Sequence, residues 1–183
     1  LFFFTPTTAY EILSGLVGSE MCIRDRNIIS RKTEYNCINF GFSGNGHLEP
    51  SVGSILSNIK TNYYVIDCLP NVDMKLIELN VIPLIKSIRS SKNSNDKPII
   101  FVEQPECHDD YIEENIYEKN NILKKEIQNA INIGYKRIYL IESEDCIGKD
   151  NEATVDGVHY NDIGFKRFAE HLIIKLKKLK IDF

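Results

Sequence analysis

Two short runs, Tyr63-Tyr64-Val65-Ile66-Asp67 and Pro98-Ile99-Ile100-Phe101-Val102-Glu103, are apolar at successive positions, so a strand made from either has no face suited to water. Such runs are the buried strands of a parallel sheet covered on both sides. Asn36-Cys37-Ile38-Asn39-Phe40 and Lys136-Arg137-Ile138-Tyr139-Leu140-Ile141 read as two further strands. Between the strands the period changes. Val52, Ile55, Leu56 and Ile59 recur at helical spacing within Glu49 to Ile59, and Leu76, Leu79, Ile82, Ile85 and Ile88 recur from Asp73 to Ser90. Glu113 to Asn132 is a long amphipathic helix ending at Gly134, and Asp162 to Leu179 is the last helix. Asn27 to Lys32 reads as the end of an earlier one. Pro83 falls inside the Asp73 to Ser90 helix and is expected to kink or split it. This alternation predicts an α/β domain whose parallel sheet carries helices on both faces.

The first residues do not fit that pattern. Leu1-Phe2-Phe3-Phe4 is apolar but has neither the basic flank nor the length of a secretory signal. Leu16-Val17-Gly18-Ser19-Glu20-Met21-Cys22-Ile23-Arg24-Asp25 resembles the translated constant end of a transposon-type sequencing adapter, and Thr8-Ala9-Tyr10-Glu11-Ile12 resembles the matching primer tail. Residues 1–26 are therefore read as a non-native segment, and 27–183 as one domain truncated at its N-terminus. The native beginning of the domain is expected to lie upstream of Asn27.

The roughly 150 residues that remain suffice for one domain with its own core. Twenty-two Lys and Arg against 26 Asp and Glu give a formal net charge of −4. No basic run is interleaved with aromatics, which argues against a nucleic-acid partner. Lys175, Lys177, Lys178 and Lys180 lie on the last helix as a solvated face that complements its C-terminal dipole. No apolar run approaches membrane-spanning length. Of the five cysteines, Cys22 falls in the foreign segment, and Cys37, Cys68, Cys107 and Cys146 read as buried or loop thiols because no Cys-x-x-Cys pair exists. His47, His108 and His159 match no metal-ligand spacing, so neither a metal nor a cofactor is expected.

Ligands of parallel α/β sheets bind beyond the carboxyl ends of the strands. That rule singles out Gly41 to Gly46, Asp67 to Asn71, Glu103 to His108 and the loop with Asp156 and His159. In Asp156-Gly157-Val158-His159-Tyr160-Asn161-Asp162, an acid and an imidazole stand three residues apart, with Asn161 and Asp162 available to cap the following helix. A carboxylate so placed can fix the imidazole tautomer and leave the other ring nitrogen to move a proton. It can equally be a capped helix start with an exposed His. Gly44 and its neighbours can bring backbone N–H groups close to a ligand oxygen, or simply make a tight turn. Asn71, after Pro70, offers an amide donor to the same spot or caps the next helix. His47 and His108 could border a substrate pocket but read first as surface residues, and Glu103 and Glu106 could act as acids or serve solvation and capping.

Together these loops resemble the SGNH hydrolases, the GDSL-like lipases and acylhydrolases. Asn39-Phe40-Gly41-Phe42-Ser43-Gly44-Asn45-Gly46 is similar to the second block of one subgroup, Asp67-Cys68-Leu69-Pro70-Asn71 to its third block, and Asp156-Gly157-Val158-His159 to the fifth. The resemblance implies a flavodoxin-like three-layer α/β/α fold and an ester hydrolase acting on a small-molecule ester. In that strand order the native first strand lies between the Asn36 and Tyr63 strands, so its expected loss leaves unpaired edges inside the sheet, and a strand formed there by Leu1 to Thr5 would be an opportunistic substitute. It implies that Gly44 and Asn71 donate to the oxyanion, that His159 is the general base and that Asp156 orients it. The nucleophilic Ser of the family stands in a first block after the first strand. That block falls where this chain reads as adapter, and neither Ser14 nor Ser19 has the family's Gly-x-Ser context, so no nucleophile is assigned. Tyr160 stands where the family often has Pro.

A nucleotide-binding module is the rival reading. Gly41 to Gly46 follows a strand and opens a helix, and Asp67 ends the next strand, as in a dinucleotide site. The glycines, however, fall as Gly-x-x-Gly-x-Gly, which breaks that fingerprint.

Overall fold

In the computed structural model of this chain, residues 2–5, 21–33, 36–41, 44–105 and 110–179 are described. One sheet carries strands β1 (Phe2–Thr5), β2 (Asn36–Asn39), β3 (Tyr63–Ile66), β4 (Ile99–Val102) and β5 (Ile138–Ile141) in the order β2-β1-β3-β4-β5. Helices α1 (Met21–Thr33), α2 (Pro50–Leu56), α3 (Met74–Ile88), α4 (Asp110–Asn132) and α5 (Asp162–Lys178) lie between and after them.

The two faces of the central strands separate cleanly. Tyr64, Ile66, Ile99 and Phe101 bury against Leu56 of α2, Ile77, Val81, Leu84, Ile85 and Ile88 of α3, and Leu123, Ile127 and Ala130 of α4. Tyr63, Val65, Ile100 and Val102 point the other way, onto Ile29 of α1 and Phe168, Ala169, Leu172, Ile173 and Leu176 of α5. Alternate residues of one strand thus serve different layers, which is why β3 and β4 are apolar at every position. The result is the expected three-layer α/β/α arrangement. Burying each large side chain is worth roughly 1.5–3 kcal/mol, and the sheet collects that gain on both faces.

β3, β4 and β5 pair in parallel. β1 occupies the slot between β2 and β3 and pairs antiparallel with both, with Phe3 opposite Ile38 on one side and Tyr64 on the other. β2 therefore runs in the same direction as β3, β4 and β5, and β1 alone is reversed. The N-terminal apolar run thus supplies the strand between β2 and β3. The physical reason is the row of unpaired N–H and C=O groups that two facing edges would otherwise present.

Pro83 neither splits α3 nor ends it. Its ring removes the bond to the carbonyl four residues back, that of Leu79, and both residues lie on the exposed side, where water can replace the lost donor. α2 is shorter than the apolar spacing suggested, stopping at Leu56, because Tyr64 Oη donates to the Leu56 and Ile59 carbonyls (3.2 and 3.3 Å) and takes over the end of the helix. α4 closes at Gly134, whose φ of +106° lets Tyr135 N bond back to the Ala130 carbonyl at 3.1 Å. Among the described residues no helix is long and apolar enough to cross a membrane.

Candidate active site

The loop ahead of α5 is a small closed structure. Thr154 and Tyr160 form an isolated antiparallel bridge, Val155 N bonds the His159 carbonyl at 2.9 Å, and Asn161 N bonds the Ala153 carbonyl at 3.0 Å. Asn161 is the N-cap of α5. Its Oδ1 accepts from Ile163 N and Gly164 N (2.9 and 3.1 Å), and its Nδ2 donates to the Glu152 carbonyl at 2.6 Å. Gly164 is required for this packing, since a Cβ there would sit 2.0 Å from the Ala153 carbonyl oxygen. One turn further on, Arg167 grips both carboxylate oxygens of Asp150 at 2.6 and 2.7 Å and the Ile147 carbonyl at 2.9 Å, tying the approach to the loop onto α5.

Within that frame Asp156 and His159 are paired. Asp156 Oδ1 accepts the backbone N–H groups of Val158 and His159 at 3.1 and 2.8 Å, and Oδ2 lies 2.6 Å from His159 Nδ1. These donors, the His159 N–H first, hold the Asp156 carboxyl down at about 2. A carboxylate ionised down to that pH fixes the proton of the neutral ring on Nδ1 and leaves Nε2 as the acceptor. The side chains are 55% and 51% exposed, so the ring is open to a ligand from solvent. Tyr160, in place of the frequent Pro, packs its ring on Phe165 and Phe168 (centroids 5.5 and 5.4 Å) and anchors the loop to the core.

Asn71 ends a 3-10 turn, Leu69–Asn71, directly beyond β3. It does not cap α3. Asp73 does so, accepting from Leu76 N at 2.7 Å, and the exposed Asn71 side chain has no capping role. The Gly44 to Gly46 segment runs beside it, since a Cβ built on Gly46 would lie 3.6 Å from Cys68 Cβ and 3.9 Å from Asn71 Nδ2. Gly44 is exposed with φ of +38°, and its carbonyl faces His47 Nε2 at 3.1 Å. The glycine nearest the Asn71 amide is thus Gly46, two residues beyond Gly44. Phe42 and Ser43 of the second block, and Glu106, Cys107 and His108 after β4, lie outside the described residues.

Burial raises the pKa values of the Tyr160 hydroxyl and of Asp67, which follows β3. Asp67 is the carboxylate that a dinucleotide site would present to a ribose, and here burial disfavours its charged form. The Cys68 thiol, beside Asn71, is driven by burial to about 12 and is no nucleophile at neutral pH. Among the described residues no group of three or more His, Cys, Asp and Glu could hold a metal ion. Glu103 after β4 is neither solvating nor free: it is buried, accepts from Ser143 N at 3.1 Å and pairs with Lys124 Nζ at 2.9 Å.

Sequence reasoning missed Lys119. On α4 it follows Ile116 and precedes Leu123 and Ile127 on the buried face, and it is only 9% exposed. A charged residue inside an apolar helical stripe was the available signal. Its Nζ donates to the Leu69 carbonyl at 3.0 Å and to Gln104 Oε1 at 3.2 Å.

The sequence profile of the GDSL-like lipase/acylhydrolase family matches residues 10–177. Among solved structures, a GDSL-like lipase from Bacteroides ovatus superposes with a TM-score of 0.82 at 29% identity, over 91% of this chain and 53% of its own. The salicylyl-acyltransferase SsfX3 of a tetracycline biosynthetic pathway gives 0.73 at 12% identity, over 93% of this chain and 53% of its own. Est24, a carbohydrate acetylesterase from Sinorhizobium meliloti, gives 0.59 at 13% identity, over 97% and 94%. The chain spans about half the length of the first two. Comparison with curated protein sequences gives no match.

Proposed function

We infer that this chain, which belongs to the GDSL-like lipase/acylhydrolase family, carries the acid–base and oxyanion-binding parts of an ester-hydrolysing site. The observation that carries the reading is the 2.6 Å contact between His159 Nδ1 and Asp156 Oδ2, which leaves Nε2 directed away from the carboxylate.

The chemistry is that of acyl transfer through a seryl ester. His159 Nε2 takes the proton of the Ser hydroxyl as its oxygen bonds to the ester carbonyl carbon, and Asp156 stabilises the imidazolium that forms. The carbonyl oxygen becomes an oxyanion facing the Gly44 N–H and the Asn71 side-chain amide. Collapse breaks the bond to the alcohol, which leaves with the proton held by His159. Water then repeats the sequence on the acyl-enzyme and regenerates the Ser. No residue of this chain is assigned as the Ser, because the block that should hold it coincides with the adapter-like residues before Asn27. Among the described residues His159 Nε2 has no hydrogen-bond partner. The substrate proposed is a small acyl ester, an acetyl group on a carbohydrate being the preferred case, because Est24 is a carbohydrate acetylesterase of related fold.

The test uses two proteins, the 183-residue chain and a form whose residues 1–26 are replaced by the parent's own coding sequence. The second is expected to hydrolyse p-nitrophenyl acetate and to lose that activity with His159→Ala, while the first is expected to be inactive. Hydrolysis that survives His159→Ala would overturn the assignment, and hydrolysis by the 183-residue chain would overturn the placement of the nucleophile.

A further inference from the structure

A buried cation reaches the turn that presents Asn71, and nothing in the acid–base chemistry above uses it. Lys119 extends from the middle of α4 across the top of the sheet. Its ammonium donates to the Leu69 carbonyl, the first residue of the 3-10 turn that ends at Asn71, and to Gln104 Oε1 beyond β4. The same Leu69 carbonyl also accepts from Val72 N at 3.2 Å, so one oxygen carries both the internal bond of the turn and the tether to α4. The Gln104 anchor is itself fixed. Asn120, next to Lys119, donates Nδ2 to the Gln104 carbonyl at 2.9 Å and accepts from Gln104 N at 3.0 Å, while Ser143 Oγ donates to that carbonyl at 3.0 Å. Two consecutive residues of α4 therefore clamp the loops after β3 and β4 together.

Burying an ammonium is costly, and replacing a buried charge with apolar surface is often neutral or stabilising. Desolvation lowers the Lys119 pKa, against which the Asp73 carboxylate acts. Its presence here asks for a gain other than stability. The group that would benefit is Asn71, whose exposed side chain has no capping role and which ends that turn. A fixed positive charge on the turn's carbonyl also favours negative charge developing nearby.

We propose that Lys119 is a positioning residue of the oxyanion site, holding the Leu69–Asn71 turn so that the Asn71 amide is aimed before substrate arrives. The proposal rests on the esterase reading above and adds a residue to it.

The test is a kinetic cycle in the form with the parent's N-terminus, using p-nitrophenyl acetate, with His159→Ala as the control. Lys119→Met is expected to melt near the parent temperature and to keep its KM, while kcat falls about 100-fold, the scale of a misplaced catalytic contact. Asn71→Ala is expected to fall about 100- to 1,000-fold, the loss typical of one oxyanion donor. The double variant should be no slower than Asn71→Ala alone, because an aimed amide that is absent cannot be misaimed. Should the methionine variant not fold, Lys119→Gln takes its place with the same expected pattern. Unchanged kcat in the Lys119 variant, or a loss that multiplies with that of Asn71→Ala, overturns the proposal. Activity that survives His159→Ala overturns the esterase reading instead, so the two failures are distinct.

Discussion

Asp156 holds His159 from two sides: one carboxylate oxygen accepts the His159 backbone N–H at 2.8 Å and the other meets ring Nδ1 at 2.6 Å. The three-residue spacing is what allows this. The pair is therefore a local unit that needs no distant element to form, although its aim depends on Asn161, Gly164 and Tyr160 behind it.

Asp156→Asn is the sharpest probe of that unit. An Asn keeps an oxygen for the Val158 and His159 N–H groups, so the turn should survive. Its amide would face Nδ1 with N–H donors and favour the opposite ring tautomer, leaving Nε2 protonated and unable to accept. Activity of the form with the parent's N-terminus should fall by about four orders of magnitude, while the far-UV spectrum and melting temperature stay at parent values. Nitrogen-15 shifts of the His159 ring should report the exchange of tautomers. A variant that retains the parent tautomer and rate would contradict the role.

Acid should open the same loop. The Asp156 pKa is depressed to about 2, below the ~3.9 of an unstructured aspartate. A depressed acid stabilises the folded loop above its unfolded pKa and loses that contribution as pH falls through the folded value. Order of residues 153–161 should thus hold from neutrality to about pH 4 and be lost between there and about pH 2. Exchange protection of the Val158 and His159 amides measures it. In Asp156→Asn the same window should be flat.

Much of this was legible beforehand for a physical reason. Runs such as Tyr63 to Ile66, short, aromatic and β-branched and bounded by turn residues, fit strands between two layers, and Asp-x-x-His folds on itself, so both are local patterns. The Asn71 turn was legible as a position, but whether it capped α3 depended on Asp73 two residues on, a competition that propensity does not settle. Lys119 escaped because its partner, the Leu69 carbonyl, is fifty residues away in sequence and belongs to the backbone. Pro83 does not split α3 because it and Leu79 lie on the exposed side, and which face α3 turns to the sheet is not a local property of the sequence. The reversed β1 could be foreseen as a gap needing an occupant, not as a direction.

Gly164→Ala should separate loop aim from core stability. The added Cβ would lie 2.0 Å from the Ala153 carbonyl and 3.0 Å from Tyr160 Cβ, so either α5 or the loop must move. Overpacking of this kind costs about 1–3 kcal/mol. Because the Ala153 carbonyl also accepts from Asn161 N, the shift should break the strap that closes the His159 loop. A lowered urea midpoint together with lost amide protection at Asn161 is expected. Parent values for both would mean that the loop yields without cost.

Cys68 should be silent to thiol reagents although it lies beside the site. Its residue is 8% exposed and burial lifts its pKa to about 12, so the thiolate fraction near pH 8 is negligible. Iodoacetamide followed by peptide mapping should leave Cys68 unmodified in the folded protein and label it in guanidinium. Labelling of the native protein at the rate of an exposed thiol would contradict the burial.

The last expectation concerns β1. Deleting residues 1–20 removes the strand that satisfies both the β2 and β3 edges. Two facing rows of unpaired backbone groups then remain inside the sheet, an arrangement that invites pairing with another chain. The shortened chain is expected to aggregate at concentrations where the 183-residue chain does not, read by light scattering. A deletion variant that stays monodisperse and folded would show that the slot needs no strand.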